Sequence, residues 1–228
     1  MTTRALLPIL LAAVLAAGCS SVDFWKDQFS APSPRPEASR SPQALGQTFE
    51  EDVQLARTFT ERYWQRKFEA TGRAYRPLQD FVPYSGENGP ACGGQPSVPE
   101  NAFYCPVGHF IAYDEAWMRS LYDKMGDGAV YVIIPHEVGH AVQAQLMRDF
   151  GLSIQRELQA DCYAGGALRG MIDSKMLEAE SGDDAELLTN LAAAGDPSEA
   201  WWREDAHGTP IQRQQAFAGG FNTGVDAC

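Results

Sequence analysis

The chain has 228 residues, enough for one domain with a sizeable core but hardly for two. Its 18 Lys and Arg stand against 30 Asp and Glu, a formal net charge of −12. That balance repels nucleic acid and argues against a polybasic membrane patch, so nucleic acid is not an expected partner.

Residues 1–18 read as a signal peptide, with Arg4 followed by an apolar run from Ala5 to Leu15 that is too short to span a bilayer. The ending Ala16-Ala17-Gly18-Cys19 resembles a bacterial lipobox, which makes Cys19 the expected lipidated first residue of the mature chain. The alternative is an ordinary signal peptide cut near Ala17. Residues 19–44 are rich in Pro and Ser and have little to bury, so they are expected to form a flexible spacer. A single domain over 45–228 follows. The expected location is the extracytoplasmic side of a bacterial envelope, with membrane contact through the lipid.

Thr48 and Glu51 have the spacing of a capping box. Phe49, Val53, Ala56, Phe59, Tyr63, Trp64 and Phe68 then recur at helical spacing, so a long amphipathic helix is predicted up to Gly72. Pro and Gly dominate Pro77 to Pro106, where loops and one short strand near Phe81–Tyr84 are predicted. His109–Asp114 suits a strand by its β-branched and aromatic content. Helices are predicted over Glu115–Lys124, Val130–Met147, Ser153–Asp173, Ala185–Ala193 and Pro210–Ala218. Thr209 serves the last as N-cap, with Pro210 at the first helical position. Much helix and little strand give an α+β, predominantly helical class in which helices carry the site.

Five cysteines less a lipidated Cys19 leave Cys92, Cys105, Cys162 and Cys228, an even number in an exported chain. Of the three connectivities possible, Cys92 with Cys105 across the Gly/Pro-rich loop and Cys162 with Cys228 is favoured. A buried thiol is the alternative for Cys162, which sits among apolar residues of a predicted helix.

The chemistry lies in His136-Glu137-Val138-Gly139-His140. Residues four apart stand one turn above each other on a helix, so both imidazoles can reach one ion while Glu137 flanks the position of a bound water. One Zn2+ suits such a site, because it takes neutral imidazole nitrogen and keeps a position open for water. Glu137 is then the expected general base. A chance match would be an amphipathic helix turning polar residues to solvent. Two of the chain's four histidines falling inside an otherwise apolar helix argue against that.

Seventeen residues after His140, on the next predicted helix, stands Glu157, with Asp161 one turn further on. Two histidines need a third ligand to make an open catalytic site, and Glu157 supplies a carboxylate. Asp161 is placed to accept the outer N–H of a ligand histidine and so fix its tautomer. An exposed acidic helix face is the plain alternative for this pair.

His136-Glu137-x-x-His140-Ala-Val-Gln143, with Glu157-Leu-Gln-Ala-Asp161-Cys162-x-Ala-Gly165, resembles the bacterial neutral zinc metallopeptidase family, with a ligand scheme similar to that of thermolysin and other gluzincins. The likeness continues in Tyr63-Trp64, Tyr75-Arg76-Pro77, Cys92-Gly93, Ala102-Phe103-Tyr104-Cys105-Pro106, His207-Gly208-Thr209 and Gln212-Arg213, from about Leu55 to the end of the chain. It implies a zincin-like domain with an HExxH active-site helix and a peptidase activity. It also brings in His207 as a stabiliser of the oxyanion, beside a structural role in the turn before the last helix. His109 is expected to be structural, and the segment beside it to be an edge strand that takes substrate backbone. Two departures stand out: Pro135 directly before His136, so that the helix begins or bends there, and Ala141 where the family often has His or Tyr. The reading is a zinc peptidase acting on peptides or proteins outside the cytoplasm. The competing reading is a non-catalytic envelope lipoprotein whose zinc site is structural or vestigial.

Overall fold

The computed structural model describes residues 47–228. The expected signal peptide, Cys19 and the linker lie outside the described residues. Helix α1 (Phe49–Ala70) starts where the capping box predicts: Thr48 Oγ1 accepts from Glu51 N and Glu51 Oε2 accepts from Thr48 N at 2.8 Å. Acidic Glu50, Glu51 and Asp52 fill its first turn, where the helix dipole favours negative charge. Phe49, Val53, Ala56, Trp64 and Phe68 of the predicted face are buried, Phe59 and Tyr63 are half-buried, and Asp52 and Thr60 join the buried stripe.

Strands β1 (Asp80–Tyr84), β2 (Ala102–Cys105) and β3 (Phe110–Asp114) form one sheet in the order β1-β3-β2. β1 runs parallel to β3 and pairs Phe81 with Ile111, whereas β2 runs antiparallel and pairs Tyr104 with Ile111. Two sequence expectations are corrected here. β2 lies inside the stretch read as loop, because four residues are too few to show a period and its partner is β3. The segment beside His109 is the central strand, hydrogen-bonded on both sides, so it cannot be an edge. That role falls to β2. His109 itself stands one residue before β3 with a left-handed backbone, φ 52°.

Helix α2 (Glu115–Met125) follows β3 directly, with Asp114 as N-cap. Helix α3 (Gly128–Gln145) is apolar on all sides and correspondingly buried, with Ala129, Val130, Val132, Ile134, Val138, Ala141 and Val142 in the core. Pro135 lies inside α3, seven residues past Gly128, so the helix does not begin there. A proline inside a helix removes one backbone hydrogen bond, a cost of about 3 kcal/mol that burial must outweigh.

Helix α4 (Ser153–Asp173) packs against α1, α3 and α6 (Pro210–Thr223), the last opened by the capping box of Thr209 and Gln212, while α5 (Asp183–Ala193) packs against α3 and α6. Small residues permit the close crossings. A Cβ at Gly139 of α3 would lie 3.2 Å from the Ala160 carbonyl oxygen of α4, so glycine lets these two helices approach. A Cβ at Gly165 of α4 would overlap the Phe217 carbonyl of α6. The disulfides are Cys92–Cys105 and Cys162–Cys228, the favoured connectivity; the second ties the turn after α6 to α4. Among the described residues no helix is long and apolar enough to cross a membrane.

Candidate metal centre and cleft

The α3–α4 crossing determines the site. His136 and His140, one turn apart on α3, set their rings edge to face with centroids 4.6 Å apart. Glu157 of α4 brings its Oε2 to 3.2 Å from His136 Nε2 and 3.4 Å from His140 Nε2. The outer nitrogens face away: His136 Nδ1 is 2.8 Å from Asp161 Oδ1, and His140 Nδ1 is 2.9 Å from Gln143 Oε1. In the tautomer in which both Nδ1–H groups donate outward, the two Nε2 lone pairs and a carboxylate oxygen converge on one buried point. Three acceptors in such proximity call for a cation, and one ligand atom from each of His136, His140 and Glu157 lies within 4.8 Å of the others.

The electrostatics agree. Burial works against a charged His136, but Asp161 and Glu157 outweigh it and push its imidazole up to about 10, so the point attracts a positive charge, whether a proton or a metal. Burial would raise Glu157, yet the hydrogen bonds from His136 and His140 hold it well below the usual carboxylate range. Glu137 is also buried, and burial pushes its carboxyl up, opposed by the neighbouring imidazoles. A raised carboxyl suits a group that must take and return a proton.

Arg213 is a site residue that the sequence reading named only as part of the resemblance and gave no role. From α6 it donates Nε to Asp161 Oδ2 at 2.8 Å and Nη2 to Oδ1 at 2.7 Å, while Nη1 reaches the Ala194 carbonyl at 2.8 Å. Its Nη2 stands 3.3 Å from His136 Nδ1 because both share Asp161 Oδ1 as acceptor. The signal was present: Arg213 occupies the buried stripe of α6 with Phe217 and Gly220, and a lone cation on such a stripe needs an anionic partner. Gln143 was noticed only as part of the resemblance. It carries His140 on Oε1 and donates Nε2 to the Arg156 carbonyl at 2.8 Å, joining the two ligand helices.

These groups open into a cleft of about 510 Å³. His136, Glu137, His140 and Glu157 lie on its walls, with β2 residues Ala102, Phe103 and Tyr104 beside them. His207, in the α5–α6 connection, borders the same cleft; its backbone N–H donates to Asp196 Oδ2 at 2.7 Å and its half-exposed imidazole sits 3.6 Å from Asp196 Oδ1. A larger cavity between Tyr84, Arg119 and Lys124 contains none of the candidate metal ligands. His109 lies elsewhere, buried between the Tyr104 hydroxyl at 2.8 Å and the Arg76 carbonyl at 3.0 Å, in keeping with a structural role. Trp201 and Trp202 stack edge to face on the surface, outside the cleft lining.

The family model described as putative neutral zinc metallopeptidase matches residues 6–228. The chain belongs to this family. Among curated proteins, this metallopeptidase-family chain is 31% identical over 247 residues to the uncharacterized protein YpfJ of Escherichia coli K12, an alignment covering 96% of the chain and 84% of that protein. It is 29% identical over 177 residues to the uncharacterized protein Rv2575 of Mycobacterium tuberculosis H37Rv, covering 62% of the chain and 58% of that protein. No solved structure matches it.

Proposed function

We propose that this family member is a zinc-dependent peptidase of zincin-like fold, carried by a lipid on Cys19 on the extracytoplasmic side of a bacterial envelope. The observation that carries the reading is the convergence of His136, His140 and Glu157 on one point, with the buried carboxyl of Glu137 on the same cleft wall. A structural zinc site closes its fourth position and has no use for such a carboxyl.

The donor set of two imidazole nitrogens and one carboxylate oxygen fits zinc and leaves room for a further ligand. Zinc held there supplies a Lewis acid that polarises a carbonyl and eases deprotonation of water. Glu137 takes the proton from the attacking water and returns it to the leaving amine. Asp161, itself fixed by Arg213, keeps His136 in the Nδ1–H tautomer, and Gln143 does the same for His140. Among the described residues β2 pairs on one side only, with β3, and it borders the cleft, so its outer edge can take an extended peptide by strand addition. His207 is the donor assigned to the oxyanion, with Asp196 holding its loop.

Elemental analysis of the purified protein and of His140→Ala tests the metal. Near-stoichiometric zinc that is lost in the variant is expected, together with peptide hydrolysis that Glu137→Gln abolishes while zinc stays bound. A folded protein that takes up no added zinc would leave the non-catalytic lipoprotein reading in its place.

A further inference from the structure

Two arginines on the cleft wall have donors that the candidate metal site leaves unused. Arg148 follows the end of α3 and Arg156 lies in the first turn of α4, so both border the α3–α4 connection, and both line the cleft together with Phe150 and Gln143. Among the described residues the Arg148 guanidinium has no hydrogen-bond or ion-pair partner. Arg156 uses one nitrogen, Nη2, on Glu157 Oε1 at 3.0 Å, and its side chain stays 54% exposed. A guanidinium has five N–H donors, so most of its capacity remains open.

An arginine with open donors on a plain surface needs no explanation, but two on the wall of one cleft do. The chain has acid to spare, with 30 Asp and Glu against 18 Lys and Arg, yet only Glu157, which also faces the two histidines, pairs with either arginine. The first turn of α4 carries no acidic residue. The carboxylates of the lining are Glu100, Glu137 and Glu157, and two of these belong to the metal site. Arg213 is already engaged by Asp161. A divalent cation at the site then makes the lining net positive inside a protein of formal charge −12. The field of the whole chain repels anions at long range, but over ~8 Å that repulsion is screened at physiological salt and close contacts decide.

We propose that Arg148 and Arg156 form a carboxylate-recognising subsite, so that the cleft selects peptides with a carboxylate close to the cleaved bond. The planar guanidinium fork matches a carboxylate at two points, and Phe150 offers apolar contact for the methylenes that carry it. An acidic side chain and a free peptide C-terminus present the same group. The subsite deepens the peptidase reading and rests on it for its place in a reaction, whereas its binding chemistry is separable.

The test uses the zinc-loaded protein and four fluorogenic peptides of one sequence, with Glu or Gln near the scissile bond and a free or amidated C-terminus. An efficiency about tenfold higher for one carboxylate source is expected, the value of one charge-assisted pair. The arm that shows it identifies the source. Arg148→Glu is expected to reverse the preference towards a Lys-containing peptide, and Arg148→Ala to bring the ratio near one. The same peptides are titrated against Glu137→Gln by fluorescence anisotropy. Failure of the native protein to cleave any peptide, with a carboxylate preference in binding that Arg148→Glu removes, would end the peptidase reading and leave the subsite standing. Equal cleavage and equal binding of all four peptides would overturn the subsite.

Discussion

Arg213 and Asp161 form a two-point salt bridge across the α4–α6 contact, with N–O distances of 2.7 and 2.8 Å and no solvent access at the carboxylate. Both charges lie in the interior, where each alone would be costly. Together they leave one oxygen of Asp161 aligned with His136 Nδ1. The pair therefore connects the packing of α6 to the orientation of His136, a candidate metal ligand. Burial tends to raise Asp161, but Arg213 and His136 keep it below the ordinary carboxylate range.

Removing Arg213 leaves the buried Asp161 with His136 as its one remaining charged partner. Arg213→Ala is expected to destabilise the metal-free fold by about 3–5 kcal/mol, the usual cost of breaking a buried ion pair from one side. Where the variant folds, zinc affinity should fall about 10- to 100-fold, since the outer partner of a ligand imidazole has been released. Denaturant unfolding of the metal-free protein and competition for zinc with a chelating dye measure the two effects separately. Unchanged zinc affinity in a folded Arg213→Ala protein would show that Asp161 holds His136 without help.

Zinc binding should release protons near neutral pH. His136 is pushed up to about 10 by Asp161 and Glu157 despite its burial, so the metal-free site holds a proton at pH 7 that zinc must displace. Apparent zinc affinity should therefore rise with pH through the neutral range. Isothermal titration in two buffers of different ionisation enthalpy reads the proton count directly. Identical heats in both buffers would mean that the imidazole is already neutral before the metal enters.

The parts of the site legible in the sequence were those fixed by local geometry. A spacing of four puts His136 and His140, and again Glu157 and Asp161, on one helix face, and the capping residues Thr48 and Thr209 mark helix starts that the structure reproduces. What stayed hidden depends on distant partners. Asp161 and Arg213 are 52 residues apart, and only the α4–α6 packing joins them. β2 has four residues and owes its state to β3 and to the Cys92–Cys105 bridge. Pro135 misleads for a similar reason: the burial of α3 on all sides keeps the helix running past a residue that would end an exposed one.

The two disulfides should contribute unequally. Cys92–Cys105 closes a sequence separation of 13 and Cys162–Cys228 one of 66. Loop-closure entropy gives about 3 kcal/mol for the first and about 4 kcal/mol for the second. The second also holds the chain end where Gln159 Nε2 donates to the Cys228 carbonyl, two residues from Glu157. Paired Cys→Ser variants, each lacking both members of one bridge, allow comparison by denaturant midpoint. Equal or reversed losses would show that strain or residual structure, not chain entropy, sets the contribution.

Asp127, at the N-terminus of α3, links stability to pH by a different route from the metal site. Burial, then the charges of Asp52, Glu186 and Asp183, push its carboxyl up to about 7, and burial likewise raises Glu186. Its folded value lies above its unfolded one, so between about pH 4 and pH 7 the folded state holds a proton that the unfolded chain has lost. That difference favours the fold at low pH, fades as pH rises through the window, and is gone above about pH 7. The group is partly exposed, so solvent screening limits the effect to about 1 kcal/mol. Asp127→Asn keeps the side chain neutral throughout. It should therefore gain a few degrees in melting temperature relative to the native protein at about pH 8 and little at about pH 5. Scans at saturating zinc hold the metal contribution nearly constant between the two proteins. A variant less stable at pH 8 than at pH 5 relative to the native protein would show that Asp127 is charged in the fold and stabilises α3 through the helix dipole instead.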